Sequence, residues 1–205
     1  MNLRMQYALA AAIAALSSPG SAAAAGSGSV EGNLDLGKGP ILVYVESVAT
    51  RLDPPAAPAV MNQKNNTYVP HILPIQSGQK VEFRSADPEL HNLYAVHKEQ
   101  KKTLFNVALP PRAPPTVQSF PPSGAVKLTC NVHSEMLAWI VVLQNPHYVL
   151  LEKGAKTFRI DGLPPGHLTL RVWGEKLEDG AGKRKFEVDM VEGAVAHADL
   201  SGAKS

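Results

Sequence analysis

Paired prolines are the feature of this sequence that most constrains its fold. They occur at residues 54–55, 110–111, 114–115, 121–122 and 164–165. Because proline has no amide hydrogen and its ring clashes with the preceding helical turn, these pairs exclude long helices where they fall. Between the pairs, apolar residues alternate with polar ones, as at Val126, Leu128 and Cys130. This period of two, with frequent turn signals, predicts an all-β chain built as a sandwich or barrel.

Several short runs are rich in β-branched or alternating apolar residues and are predicted to be strands. They cover residues 41–48, 71–75, 79–84, 125–130, 139–143, 158–160, 168–173 and 186–190. The segment 53–59 is rich in proline and alanine and is predicted to be a linker or an extended crossing.

The first 25 residues have the three parts of a secretory signal peptide. Arg4 supplies a positive charge, residues 8–16 are apolar, and residues 17–25 end in small side chains that suit a cleavage site. This apolar stretch is too short for a membrane span, and no later run is longer. We therefore expect an exported, periplasmic protein with no membrane span. A formal net charge of +2 and no long basic run give no indication of nucleic-acid binding.

Export gives weight to the one cysteine of the chain, Cys130. Exported proteins commonly pair their cysteines in disulfides, and this cysteine has no partner in its own chain. It is therefore buried and inert, reactive, or a metal ligand. The neighbouring sequence favours a ligand, because His133 and Met136 follow at intervals of three residues. A distant histidine, His91, lies thirty-nine residues upstream.

Together, His91, Cys130, His133 and Met136 offer two imidazoles, one thiolate and one thioether. Two histidines and a cysteine with a weak axial methionine form the donor set of a blue-copper site. We therefore predict that these four residues bind one copper ion. For Met136 the alternative is a methionine that only fills the core. For His91 the alternative is an ordinary loop histidine.

The segment from about Val60 to Leu143 resembles a cupredoxin of the plastocyanin and amicyanin group. The resemblance is carried by residues 69–75 with Gly78 and 81–83, by residues 87–94, and by the Cys130 loop. The mature chain as a whole resembles periplasmic plastocyanin-like proteins often labelled methylamine utilisation proteins. In that family a cupredoxin is combined with a transthyretin-like or carboxypeptidase-regulatory-like β-domain, and residues 158–160 and 162–173 carry this second likeness.

This resemblance implies a division of the chain into a signal peptide and two β-sandwich domains. The signal peptide covers residues 1–25, the cupredoxin 60–143 and the transthyretin-like domain 144–200, with the strands in 26–52 also assigned to the second domain. Residues 29–48 are expected to form its first hairpin, so that the cupredoxin would be inserted into it. Pairing between roughly residues 41–48 and 167–173 would establish the insertion.

Near the predicted site, the sequence departs from the usual cupredoxin pattern. Many members carry proline near the second histidine and a small residue before the methionine, whereas this chain has Ser134 and Glu135 there. A carboxylate at Glu135 would favour Cu(II) if it lay close to the metal. Asn92 either hydrogen-bonds across the site to hold the Cys130 loop or is an ordinary turn asparagine.

The remaining histidines and the two tryptophans are expected to have no role in the site. His71 is predicted to be structural, and Trp139 and Trp173 to lie in a core or a domain interface. The other histidines have no partners at metal-ligand spacing and are expected at the surface; they are His97, His147, His167 and His197.

The sequence predicts a periplasmic one-electron carrier whose partner is a redox protein, either a cytochrome or a periplasmic oxidoreductase. A copper carrier and a structural module with a degenerate cupredoxin are the alternatives. A copper carrier typically has an open site rich in Met and His, but the five methionines here are scattered. A multicopper oxidase needs His-x-His pairs, and the sequence has none. We therefore expect that the protein is not an enzyme.

Overall fold

A computed structural model describes residues 27–34, 39–177 and 184–201, so the predicted signal peptide lies outside the described residues. The described residues contain β-strands and no helix, which confirms the all-β prediction. Accordingly, this part of the chain contains no helix that could span a membrane. The strands divide between two β-sandwiches.

The first sandwich is built from the middle of the chain. Its nine strands are β3 (Ala59–Gln63), β4 (Tyr68–Val69), β5 (Ile72–Gln76), β6 (Val81–Ser85), β7 (His91–His97), β8 (Lys102–Leu109), β9 (Thr116–Gln118), β10 (Gly124–Thr129) and β11 (Leu137–Leu143). One sheet has the order β5-β11-β10-β7-β8 and the other the order β4-β3-β6-β9. Apolar side chains of both sheets, such as Phe83, Leu93 and Leu128, share one buried core.

The second sandwich combines strands from both ends of the described chain. They are β1 (Gly28–Asn33), β2 (Ile41–Val45), β12 (Tyr148–Leu151), β13 (Thr157–Leu163), β14 (Gly166–Trp173), β15 (Arg184–Met190) and β16 (Val195–Asp199). Its sheets have the orders β13-β1-β16 and β12-β2-β14-β15. A separate core, which includes Val30, Val43 and Leu170, lies between them.

Strand β2 pairs in antiparallel register with β14, with Val45 opposite Leu170 and Leu42 opposite Trp173. This is the pairing, between residues 41–48 and 167–173, that was expected to establish the insertion of one domain into the other. The chain therefore leaves the second sandwich after β2, forms all of the first sandwich, and returns at β12. The expected hairpin in 29–48 is wrong, however, because β1 pairs with β13 and β16 in the opposite sheet from β2.

The two sandwiches pack against each other through a third buried apolar cluster. Trp139 of β11 and Trp173 of β14 meet edge to face in it, with ring centroids 5.5 Å apart and planes at 65°. At its border, His71 Nε2 lies 2.7 Å from Glu175 Oε2 across the interface. The tryptophans thus occupy the interface that was predicted for them.

The pattern of alternation missed β7 and β8, two of the longer strands. Strand β7 carries His91, Asn92 and His97 at buried positions. Because these buried residues are polar, the sequence of the strand does not show the alternation of apolar and polar residues that predicts a strand. Strand β8 is an edge strand with many exposed positions, which weakens the signal of its few apolar residues.

Among the four histidines expected at the surface, His97 is buried, so that prediction is wrong. Its Nε2 lies 3.0 Å from the Ser123 carbonyl oxygen, and its Nδ1 accepts from the Gln100 amide at 3.3 Å. Both ring nitrogens have partners, and this satisfies the polar groups of a buried imidazole. His147 is half-buried, and His167 and His197 are exposed.

Candidate metal centre

Two neighbouring strands and one tight loop build the candidate centre. Strands β7 and β10 are antiparallel neighbours, so the start of β7 and the end of β10 lie side by side at the same end of the sandwich. His91 is the first residue of β7, and Cys130 directly follows β10. The loop from Cys130 to Met136 then returns to β11. It is closed by a hydrogen bond from the Cys130 amide to the Met136 carbonyl (3.3 Å) and by one from the Met136 amide to the His133 carbonyl (3.1 Å).

Three of the four predicted ligands have converging donor atoms. His91 Nδ1 lies 3.1 Å from His133 Nδ1, and Cys130 Sγ lies 3.9 Å from the same His133 nitrogen. The donor atoms of all three residues lie within 4.8 Å of one another. For comparison, two imidazole nitrogens that bind one ion at about 2.0–2.1 Å and near-tetrahedral angles lie about 3.3 Å apart. The spacing of these three residues therefore suits one metal ion.

Met136 lies at the end of the same loop and is buried, with 1% of its surface exposed. It packs in the core cluster that also contains Cys130. This position is compatible with both roles considered for it, an axial ligand and a core residue. Its role as a ligand stays a prediction.

The two imidazoles face each other through their Nδ1 atoms, and a carboxylate lies behind each ring. His91 Nε2 is hydrogen-bonded to Asp87 Oδ2 at 2.9 Å, and His133 Nε2 lies 3.1 Å from Glu89 Oε2. An ionised carboxylate only accepts hydrogen bonds, so the bond to Asp87 places a ring proton on His91 Nε2, and in the neutral ring this leaves a lone pair on Nδ1. A cation between the two Nδ1 atoms would be bound by both rings. With the adjacent thiol, this donor set fits copper.

Asp87 is held as an anion beside His91. Its Oδ1 accepts from the Asn65 amide at 2.7 Å, and its Oδ2 accepts from the Asn66 amide at 3.1 Å. Both asparagines have φ of 54°, a left-handed conformation that asparagine tolerates better than most residues. Burial raises the pKa of Asp87, but these two amides and His91 together outweigh it and lower the pKa.

Asn92 joins the strand of one ligand to the loop of the others. Its side-chain Oδ1 accepts from the Asn131 amide at 2.5 Å, and its Nδ2 donates to Asn106 Oδ1. Its backbone amide points at Cys130 Sγ at 3.4 Å. Asn92 therefore contacts the Cys130 loop, which is the first of the two roles that the sequence left open.

Tyr68 comes from the opposite sheet and lies beneath the predicted ligands. It is fully buried, and its hydroxyl donates to the carbonyl oxygens of Asn92 (2.8 Å) and Thr129 (3.2 Å). Burial, and next the negative charge of the Cys130 thiolate, raise the pKa of Tyr68 well above its usual value. The hydroxyl therefore stays protonated and keeps β7 and β10 together beneath the donor atoms.

The sequence interpretation missed Asp87, Glu89, Tyr68 and Asn106 as parts of the site. Two carboxylates within the four residues before His91 were the available signal for the first two. Nothing in the local sequence indicates Tyr68 or Asn106, because they come from other strands. Glu135 is exposed, and its carboxylate accepts from the Ser134 hydroxyl at 3.1 Å.

No protein-family model and no curated protein sequence matches the chain. Among solved structures, a purple cupredoxin from Nitrosopumilus maritimus is 22% identical, with 41% of this chain matched to 98% of that one at a TM-score of 0.36. Amicyanin from Paracoccus versutus is 18% identical, with 47% matched to 95% at a TM-score of 0.38.

A copper-containing nitrite reductase from Thermus scotoductus is also similar, at 20% identity and a TM-score of 0.40. This match covers 48% of the chain but only 25% of that enzyme. All three likenesses are too distant to indicate a function, which has to be inferred from the donor atoms themselves.

Proposed function

We propose that the first sandwich is a cupredoxin that binds one copper ion and transfers single electrons. The observation that carries the proposal is the convergence of His91 Nδ1, His133 Nδ1 and Cys130 Sγ within 4.8 Å. Met136 is proposed as the axial ligand because the loop that carries the other two residues ends at it. The combination of two imidazoles, a thiolate and a thioether is typical of blue copper.

The residues of this chain hold the donors in a fixed arrangement. Copper would supply a one-electron change between Cu(I) and Cu(II) at this site. His91 is fully buried and its Nε2 is held by Asp87, while the Asn92 amide donates to Cys130 Sγ. A rigid set of ligands limits the rearrangement that accompanies a change of charge, and this favours electron transfer over exchange of the metal. The burial of His91 likewise disfavours a copper carrier.

We further propose that the protein is exported to the periplasm and exchanges electrons with a redox protein, such as a cytochrome or an oxidoreductase. His133 is the partly exposed ligand, with 22% of its side chain accessible, and it is the natural point of approach for that partner. The seven strands of the second sandwich are proposed to form a transthyretin-like domain. Its three-stranded and four-stranded sheets support this proposal.

Copper titration of the purified protein, followed by visible absorption and a redox titration, tests the function. We expect an intense thiolate-to-copper band that bleaches reversibly on reduction. Cys130→Ser and His133→Ala should abolish the band, while His167→Ala, at an exposed histidine outside the cluster, should leave it unchanged. Copper that binds without the band and is lost to a chelator would indicate a copper carrier. Absence of copper binding would indicate a structural module.

A further inference from the structure

Each of the two histidines at the centre has its own carboxylate, and both carboxylates come from one short segment. Asp87 accepts a hydrogen bond from His91 Nε2, and Glu89 Oε2 lies 3.1 Å from His133 Nε2. The two acids are separated only by Pro88, in the turn that leads into β7. The segment 87–89 therefore places a negative charge directly behind each imidazole, on the side away from the donor atoms.

We propose that Asp87 and Glu89 bias the copper centre toward its oxidised state and lower its reduction potential. The proposal rests on the copper-binding function proposed above. It assigns to these residues a tuning role through the ligands, without direct contact with the metal.

The physical reason is a difference of one unit of charge. Cu(II) carries one more positive charge than Cu(I), so any nearby anion stabilises the oxidised form more. A carboxylate that accepts from Nε2 also draws the ring proton toward itself and makes Nδ1 a stronger donor. Both effects act in the same direction and favour Cu(II).

The two acids should differ in strength because they differ in exposure. The Asp87 side chain is 9% exposed and Glu89 is 56% exposed. Charges in a poorly solvated environment interact more strongly, whereas salt and water screen exposed charges. Asp87 should therefore account for most of the bias, and the contribution of Glu89 should depend on ionic strength.

This bias has a consequence for the electron-transfer partners. A lower potential narrows the set of donors that can reduce the centre and widens the set of acceptors that the reduced centre can in turn reduce.

The test compares Asp87→Asn and Glu89→Gln with Glu135→Gln in the full mature chain loaded with copper. Glu135→Gln is the matched control, because it removes an exposed carboxylate of the same loop region that bonds to Ser134 and not to an imidazole. The midpoint potential is measured by spectroelectrochemistry at pH 7, at low and at high salt. Melting temperature and the thiolate band verify that each variant is folded and binds copper.

We expect Asp87→Asn to lower the preference for Cu(II) over Cu(I) about tenfold, which raises the potential by about 59 mV for a one-electron couple. Glu89→Gln should raise the midpoint potential by a smaller amount, and this amount should decrease at high salt. Glu135→Gln should shift the midpoint potential less than Glu89→Gln does. Unchanged potentials in both imidazole-partner variants, or an equal shift in the control, would overturn the proposal.

Asparagine has one side-chain oxygen, so Asp87→Asn loses one of the contacts to the amides of Asn65 and Asn66, and the variant can fail to fold. In that event the test rests on Glu89→Gln, because an unchanged midpoint potential of this variant at low salt would refute the tuning role. NMR of the diamagnetic Cu(I) protein gives a second readout that does not depend on a variant. Both imidazoles should carry the proton on Nε2, and a proton-free Nε2 on His91 would refute the geometry. If the wild-type protein binds no copper, the proposed function fails instead.

Discussion

Replacement of Asn92 by alanine is the sharpest test of how the Cys130 loop is held. The variant removes the acceptor of the Asn131 amide and the donor to Asn106, while the backbone amide that points at Cys130 Sγ remains. Each lost hydrogen bond contributes about 0.5–1.5 kcal/mol net, so the free energy of unfolding should fall by about 1–3 kcal/mol. For a chain of this size, the melting temperature falls by about 2–4 °C for each kcal/mol.

The assay is urea unfolding of the metal-free protein, with copper release to a chelator as a second readout. Asn106→Ala is the control because it removes only one of the two contacts, and it should cost about half as much. Asn92→Ala should retain the thiolate-to-copper band but release copper faster. A free energy of unfolding within about 0.5 kcal/mol of wild type would show that the side chain of Asn92 does not hold the loop. Equal effects of the two variants would show that the Asn131 contact contributes nothing.

Three further predictions concern the frame around the site. Trp173→Ala should lower stability by about 3–5 kcal/mol in thermal unfolding, because it empties the interface between the sandwiches; unchanged stability would contradict this packing. Gly32→Ala should lower the free energy of unfolding by more than about 3 kcal/mol in the same measurement. The reason is that the added Cβ would lie 1.6 Å from the Ala198 carbonyl oxygen. A melting temperature equal to that of the wild type would refute this close approach. Burial raises the pKa of Glu175, but the contacts with His71 and Trp139 and the charges of His71 and Lys176 together outweigh burial and lower it. At pH values above the ordinary carboxyl pKa, Glu175→Gln should therefore lower the free energy of unfolding by about 0.5 kcal/mol. The difference should disappear as the pH falls through the lowered pKa that Glu175 has in the folded protein. Urea titrations across this pH range measure it, and a difference that grows in acid would refute the assignment.

The clustering of His91, Cys130 and His133 could be predicted from the sequence because most of the information is local, while the role of Met136 stays a prediction. Cys130, His133 and Met136 lie within one heptapeptide, and a single loop of that length can close only by bringing its ends together. The signal peptide predicted in residues 1–25 makes an unpaired cysteine unusual, and this prediction drew attention to the motif. His91 could be added because the sequence implied a sandwich, in which distant turns meet at one end.

The partners of the imidazoles could not be predicted in the same way. Asp87 is anchored by the amides of Asn65 and Asn66, which come from the turn between two strands of the other sheet. That contact depends on how two sheets pack, and no periodicity in either segment encodes it. Strand β7 itself was missed for a related reason, because its buried polar residues have hydrogen-bond partners on other elements.

By itself, then, the sequence determined the all-β class, the strand at the end of which Cys130 lies, and the chemistry of the donor set. These properties follow from the spacing of residues along a single segment. Only the tertiary structure decided which strands pair across the long excursion from β2 to β12, and that β1 and β2 lie in different sheets. It also decided that carboxylates stand behind both imidazoles, because charges and hydrogen bonds act between groups that are close in space, however far apart they lie in the chain.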